Sequence, residues 1–465
     1  MRIMTLGPIR YLKILIRLGG LVIKLGASLV VFIIAIVPSI VARLICFSTN
    51  PKQILLAGNE TSANLQQIGL CLAKSSKYTV TVLQFYAHPF YSPVSSQDFG
   101  ENLVFDNRFL IPSLDDRKLL IRIGIRIKRK CQIVSYFFKV IYSFDSVFFN
   151  WSQSFLPFNL DYPLLRMSGK KVIVRHCGDD VRYRPLQNGI HGMFGIHQWQ
   201  GAKRDNFDAL SKFWHQLWAE SFTVVLSSRD HATFQSKPIG IRPYIQLPLP
   251  RTTGFSGGVP FILHAPSDPK IKGTQLFEEA MMILRDRGLT FTFKVLTGVT
   301  HDLVLNALSK ATIVVDQPGA VPARLAVEAM ASGCVVVGGN VEALHGLETL
   351  PILQFPENSH ALASLLQSYL EDTEKAKKLG DEALGYALKH FSCDSFCQFF
   401  DSLITGDYLK FDTVENHDSY LMHSAKTHLE KLLVSLLVLI RKLHLRSTAK
   451  RSNKSLTSNY EGFLS

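Results

Sequence analysis

The sequence predicts an α/β protein built from two parallel-sheet domains, and three observations support this fold class. Short apolar runs of strand length alternate with helical segments in two separate series. A Pro- and Gly-rich stretch without periodicity, residues 248–260, separates the two series as a linker. A chain of 465 residues with 47% hydrophobic content can bury two cores. We therefore expect one domain over residues 51–247 and a second over residues 261–405.

The strands of each domain can be assigned in order. The first series opens with KQILLAGNETSANLQQIGLCLAK, where an apolar run ends at Gly58 and helical spacing begins at Asn64. The runs YTVTVLQF, FDSVFFNW, KKVIVRH and TVVLSS follow as strands. The second series contains FILHA, FTFKVLTG, TIVVDQ and CVVVGG, with helical segments between them. Two Rossmann-like sheets of this kind place a cleft at their carboxyl ends, where ligands bind.

Residues 1–50 are predicted to attach the chain to a membrane. The eighteen uncharged residues from Leu25 to Ala42 approach the length of a bilayer span, and several cations precede them. A spanning helix would place the N-terminus in the cytoplasm and the remaining chain outside. Pro38 permits a bend that keeps both flanks on one side, so we favour an interfacial segment on the cytoplasmic face. A single-pass anchor and a buried helix of a soluble core stay open as alternatives.

The basic character of the chain predicts an anionic partner. The formal charge is +14, and cations interleave with Ile and Leu in RKLLIRIGIRIKRK (Arg117 to Lys130) and HLEKLLVSLLVLIRKLHLR (His428 to Arg446). Either stretch alone is also compatible with a helix packed on the core. A nucleic-acid partner would favour aromatic residues among the cations, so we expect an anionic membrane surface and no nucleic acid. Residues 406–465 are predicted to form a basic amphipathic helix and a disordered tail.

The seven cysteines are scattered, odd in number and mostly set in apolar runs, which predicts reduced core thiols. Cys393 and Cys397 lie one helical turn apart, but no second pair is near them in sequence. We therefore do not favour a metal site there.

The stretch DQPGAVPARLAVEAMASGCVVV, from Asp316 to Val337, predicts a strand end, a turn and a helix. Pro322 suits the first helical position and Gly333 the C-terminal cap. A helix that begins after a Gly-containing loop can bind phosphate at its N-terminus. Glu328, two turns further on, has two interpretations: an acceptor for ligand hydroxyl groups, or an i,i+4 partner of Arg324.

Three segments in this order resemble the donor-binding domain of retaining glycosyltransferases of the GT-B fold, family 4. They are HAPSDPKIKGT (His264 to Thr274), VVDQPG and ARLAVEAMASGCVVV. GKKVIVRHCGDDVR (Gly169 to Arg182) extends the resemblance into the first domain, so that it covers roughly residues 52–404. The resemblance implies transfer of a hexose from a nucleotide-diphosphate sugar to a lipid-linked or polysaccharide acceptor. It also implies retention of configuration, with neither a cofactor nor an obligatory metal.

The resemblance assigns roles to single residues. Lys272 is implied to neutralise the diphosphate, Glu328 to bind the ribose, and His176 to orient the sugar in the cleft. The family's first motif glutamate falls on Ala320, and Asp316 at the strand end has two interpretations: it supplies the missing carboxylate, or it caps the turn. A catalytically impaired sugar-nucleotide binder or scaffold at the membrane is the alternative. The remaining site residues are Gly273, Gly298 and Arg324 on the donor side, and Gly58 and Asn59 on the acceptor side.

Overall fold

The computed structural model describes residues 8–46, 52–60, 64–86, 102–110, 119–151, 153–178, 180–186, 203–227, 234, 239–240, 249–270, 272–318, 322, 324–338, 350–407 and 417–440. Ala320 and the predicted disordered end of the chain lie outside these ranges.

The first domain contains a seven-stranded parallel sheet in the order β3-β2-β1-β4-β5-β6-β7. All five strands predicted from the sequence are present. The two that were not predicted, β3 and β7, are short and lie at the edges of the sheet, where little apolar pattern is needed. The strands are β1 Lys52–Asn59, β2 Tyr78–Tyr86, β3 Leu103–Asp106, β4 Ser146–Asn150, β5 Lys171–Arg175, β6 Val224–Ser227 and β7 Ile239–Gly240.

Helices cover both faces of this sheet. They bury two separate apolar clusters, one on each face, as expected for parallel strands that are buried on both sides. The strand order reverses between β1 and β4, which is the switch point where such sheets bind ligands. The helices are α1 Pro8–Ile45, α2 Asn64–Ala73, α3 Leu119–Ser143, α4 Asp161–Met167 and α5 Asn206–Phe222.

The second domain contains a four-stranded parallel sheet in the order β11-β10-β8-β9, so all four strands predicted for it are confirmed. Its switch point lies between β8 and β10. Gly333 has a φ of 78° just after α8, which confirms it as the C-terminal cap. The elements are β8 Phe261–His264, α6 Thr274–Asp286, β9 Thr292–Val295, α7 His301–Leu308, β10 Ile313–Val315, α8 Arg324–Ala331, β11 Val335–Val337, α9 Ser359–Leu370 and α10 Thr373–His390.

After α10 the chain returns to the first domain. Helix α11, Cys393–Thr405, packs on α2 and buries Phe396 and Phe400 among the strands of the first sheet. A disulfide joins Cys71 of α2 to Cys393 of α11. The prediction that all cysteines are reduced core thiols is therefore wrong for this pair, because residues separated by 322 positions meet only through the fold. Cys131 is exposed, which also departs from that prediction.

The C-terminal basic helix packs on the first domain. Helix α12 is His417–Ser424, and helix α13 covers residues 428–440. Helix α13 buries Leu433, Val434 and Leu437 in a cluster with Phe213 of α5. Buried Glu430 accepts a hydrogen bond of 2.8 Å from the Tyr183 hydroxyl and pairs with Arg204. The first domain thus covers one apolar side of α13, while Leu432, Leu436 and Leu439 on the same helix are exposed, so the membrane contact expected for this helix stays a prediction.

Candidate functional site

His264 holds the switch point of the second sheet together. It ends β8 and is buried, and its Nδ1 lies 2.9 Å from the carbonyl oxygen of Val315 on β10. Because a carbonyl only accepts, Nδ1 carries the proton and Nε2 accepts from the Thr274 hydroxyl at 2.9 Å. Burial lowers the pKa of His264 to about 4, so the ring is neutral. It fixes the start of α6, a role that sequence reasoning missed.

Lys272 and Gly273 lie in the loop that His264 anchors. Gly273 has a φ of 71°, and a Cβ there would lie 2.7 Å from the side chain of Pro318, so only glycine fits. The Lys272 ammonium donates a hydrogen bond to the side-chain oxygen of Gln317. Burial lowers the pKa of Lys272, the Asp316 carboxylate opposes this, and the Arg182 charge adds to the lowering. A bound anion would compensate both the burial of the Lys272 ammonium and its repulsion by Arg182.

Asp316 and Gln317 follow β10 directly, at the carboxyl edge. The Asp316 amide donates to the carbonyl oxygen of Val337 at 2.9 Å, and both side chains are buried. A Cβ on Gly338 would lie 2.8 Å from the Gln317 carbonyl oxygen, so the chain after β11 approaches closely here. The structure thus brings Asp316, predicted as a catalytic carboxylate, into the electrostatic surroundings of Lys272.

Glu328 is buried in α8 and accepts two hydrogen bonds on one carboxylate oxygen. Arg324 Nε donates at 2.5 Å, and His301 Nε2 lies at 2.8 Å. Burial alone raises the pKa of Glu328, but the Arg324 charge and the His301 hydrogen bond outweigh it, so the pKa lies below its ordinary value. The i,i+4 pair considered from the sequence is therefore formed, and a ligand role for Glu328 would have to coexist with it.

His301 is a residue of this site that sequence reasoning missed. It is the first residue of α7. The loop between β9 and α7 contains Gly298, which is exposed and has a φ of 66°. The available signal was its place at the carboxyl end of a parallel strand, where site residues of such sheets collect. Gly298 lies two residues before Thr300, the N-cap of the helix that His301 begins.

Gly58 and Asn59 lie at the switch point of the first sheet. Gly58 has a φ of 132°, and a Cβ there would lie 2.2 Å from the carbonyl oxygen of Asn150 on β4. The buried Asn150 side chain donates to the Asn59 carbonyl oxygen at 2.7 Å. Glycine is thus required because a side chain at position 58 would collide with the backbone of β4, the strand across the point where the strand order reverses.

His176 follows β5 directly and is buried on the same edge. Its Nδ1 lies 3.6 Å from an oxygen of Asp180, whose other oxygen accepts from the amides of Cys177 and Gly178 at 3.1 and 2.8 Å. The His176 ring also contacts that of His215, with centroids 5.2 Å apart. Burial lowers the pKa of His215 to about 3, and the His176 charge acts in the same direction. Asp180 therefore holds the loop that carries His176 in place.

Cations from both domains face one region. The Arg182 charge, in the loop after β5, acts on Lys272, in the loop after β8. The carboxyl edges of the two sheets therefore contribute to one electrostatic environment. Two parallel sheets whose carboxyl-edge loops supply cations, a buried carboxylate and a histidine define a two-domain α/β protein with a candidate ligand site between its sheets.

Solved structures with the same two-domain arrangement support this description. HepE of Anabaena in complex with UDP and glucose has 14% identity and a TM-score of 0.51, and the match covers 76% of this chain and 100% of that one. The UDP-glucose complex of the same protein gives a TM-score of 0.50 with equal identity and coverage. At this identity the likeness shows the fold alone. The predicted GT-B fold is confirmed.

No protein-family model matches the sequence, and no curated protein matches it.

Proposed function

We propose that the protein transfers a hexose from a nucleotide-diphosphate sugar to a hydroxyl group of a lipid-linked or polysaccharide acceptor, with retention of configuration. The GT-B fold provides the frame for this reaction, and HepE, which shares the fold, has been solved with UDP and with UDP-glucose. The resemblance of the segments around Lys272, Glu328 and His176 to family 4 supports the retaining outcome.

The observation that carries this proposal is the surroundings of Lys272. Its ammonium is half-buried at the carboxyl edge of the second sheet, and its pKa is lowered by burial and by the nearby Arg182 charge. A diphosphate between the two cations would restore favourable electrostatics for both. When the bond to the sugar breaks, negative charge grows on that diphosphate, so the same cations stabilise the transition state.

The remaining roles follow from position. Glu328, with its oxygen held by Arg324 and His301, is proposed to accept ribose hydroxyl hydrogen bonds. Asp316 is proposed as the carboxylate near the donor sugar in place of the family's first glutamate. Charge stabilisation by Lys272 and Arg182 makes an obligatory metal unnecessary, so we propose turnover in the presence of a chelator.

We also propose that the reaction takes place on the cytoplasmic face of an anionic membrane, where nucleotide sugars are available. A lipid-linked acceptor would be presented at that surface. The apolar N-terminal helix and the net positive charge of the chain support this location.

The test uses the full chain and a panel of nucleotide-diphosphate sugars, with UDP as the binding probe and with EDTA present. We expect transfer or slow hydrolysis of at least one donor, lost in Lys272→Ala. Lys270→Ala is the matched control, because Lys270 is an exposed lysine in the same loop. UDP binding without turnover on any donor would instead identify a sugar-nucleotide binder. Equal behaviour of the two lysine variants would overturn the site assignment.

A further inference from the structure

The outer face of α1 is apolar and exposed. Gly19–Ile45 has a mean hydropathy of 2.6 and is long and apolar enough to cross a membrane. Large side chains along this face each expose more than half of their area, among them Val22, Val30, Ile33, Ile34, Val37 and Leu44. A contiguous exposed apolar surface on this scale marks an interaction site.

The inner face of the same helix is covered by the first domain. Residues at alternating spacings of four and three form this inner seam: Ser28, Phe32, Ala35, Ser39, Ala42 and Cys46. At about 1.5 Å per residue the seam extends about 27 Å, close to the thickness of a bilayer core, about 30 Å. Lipid cannot surround the stretch that would have to span, because protein already occupies one side of it.

Helix α3 packs against α1 at its C-terminal end and exposes its first half. The Tyr142 hydroxyl of α3 donates to the Pro38 carbonyl oxygen at 3.3 Å, and Cys46 lies 3.5 Å from the Tyr142 carbonyl oxygen. The first half of α3 exposes Leu120 and Ile127. Interleaved with such apolar residues are three exposed cations, Arg126, Lys128 and Lys130.

This first half of α3 lies beside the cleft. The buried Arg129 guanidinium donates to the carbonyl oxygen of Phe85, close to the carboxyl end of β2. Residues before Arg129 therefore extend past the edge of the sheet, by about 13 Å as far as Leu120. The carboxyl edge they pass is the edge that carries Gly58 and His176.

We propose that the outer faces of α1 and of the first half of α3 form one docking surface, which inserts into a single leaflet of an anionic membrane without crossing it. A leaflet accepts a long apolar face, while its anionic headgroups neutralise the cations of α3. A second copy of the chain fits less well, since a two-fold interface would bring Arg126, Lys128 and Lys130 toward their own equivalents. This proposal rests on the membrane location proposed above and specifies its surface, and it does not depend on the proposed reaction.

Flotation of the full chain with vesicles tests the surface. We expect binding to vesicles of phosphatidylcholine with phosphatidylglycerol, reduced at least tenfold by Ile34→Glu combined with Val37→Glu. Met282→Glu combined with Leu388→Glu is the matched control, because both residues are exposed on helices of the second domain. Replacing Arg126, Lys128 and Lys130 by Gln should abolish the preference for anionic lipid. Equal flotation of the two Glu variants, or a dimer that replaces vesicle binding, would overturn the proposal.

A protease site placed before Met1 distinguishes docking from spanning. In sealed vesicles that carry the protein on the outside, external protease should cut this site as fast as a second site inserted at Gly257, an exposed position in the linker. Protection of the first site until detergent is added would show a spanning helix and refute the single-leaflet arrangement. UDP affinity, measured alongside, should be equal in all of these variants, so failure here is separate from failure of the proposed reaction.

Discussion

Replacing Glu328 separates its two roles, ribose acceptor and partner of Arg324. Glu328→Gln keeps the shape of the side chain and one acceptor oxygen but removes the charge. Removing one member of a buried pair costs about 3–5 kcal/mol. Since the side chain of His301 is 20% exposed and can turn to water, and the amide still accepts one hydrogen bond, we expect a loss of about 2 kcal/mol in the free energy of unfolding.

The effect on nucleotide binding is worked out separately. A hydrogen bond from a ribose hydroxyl to a carboxylate contributes about 1.5–3 kcal/mol to binding. Its loss therefore corresponds to about a tenfold to hundredfold increase in the Kd for UDP. Isothermal calorimetry at a temperature where both proteins are folded measures this change. Thermal unfolding without ligand measures the change in the free energy of unfolding. A Kd within about twofold of wild type beside a clear loss of stability would refute the ribose assignment and leave Glu328 as a partner of Arg324 alone.

The pH dependence of stability gives a second check on the same carboxylate. The folded pKa of Glu328 is below its ordinary value of 4.5. The stabilisation is therefore complete above the unfolded pKa and is lost as the pH falls through the lower folded pKa. The Gln variant should lack this contribution to acid unfolding.

Three further predictions concern other parts of the chain. UDP binding should raise the lowered pKa of Lys272, so binding should be accompanied by proton uptake and should weaken as the pH rises through that pKa. Calorimetry in buffers of different ionisation heat should show the proton uptake, and Lys272→Met should abolish it. Cys393→Ser should lower the thermal midpoint by releasing α11 from α2, whereas Cys397→Ser, one turn away, should not. Glu430→Gln should cost about 2–4 kcal/mol and expose α13 to limited proteolysis, while an unchanged cleavage rate would show that the Tyr183 contact is dispensable.

Most strands were predictable from the sequence because they are buried on both faces; β9 is the half-exposed exception among those predicted. A continuous apolar run such as Ile313–Val315 carries its own signal, and all nine runs identified in this way are strands. The edge strand Ile239–Gly240 carries none, since two residues have no period. The Cys71–Cys393 disulfide was equally invisible, because nothing local relates two positions that are brought together only when α11 returns to the first domain.

The site was predictable where a residue follows a strand and fits a known motif. Lys272, Asp316 and His176 meet that condition, and each lies at a carboxyl edge. His264 and His301 were missed because their roles depend on contacts across elements, to Thr274 in one case and to Glu328 in the other. The packing of the C-terminal helix on the first domain was not predictable for a related reason: a basic amphipathic pattern does not specify whether lipid or protein covers its apolar residues.

The two domains are joined by two segments, and the structure treats them differently. The linker that precedes β8 already packs on the second domain, where the amides of Thr252 and Thr253 donate to the carbonyl oxygens of Ser332 and Ser309. The second segment, between α10 and α11, is followed at once by the Cys71–Cys393 disulfide, with the Asp401 pairs to Lys77 and Tyr78 two turns later. In the second segment, any change in the angle between the sheets must therefore be absorbed between Phe391, which is buried in the core of the second domain, and Cys393. Since α1, α3, α11 and α13 all pack on the first domain, a change in that angle would move the second domain, with Lys272 and Glu328, relative to all of these helices together.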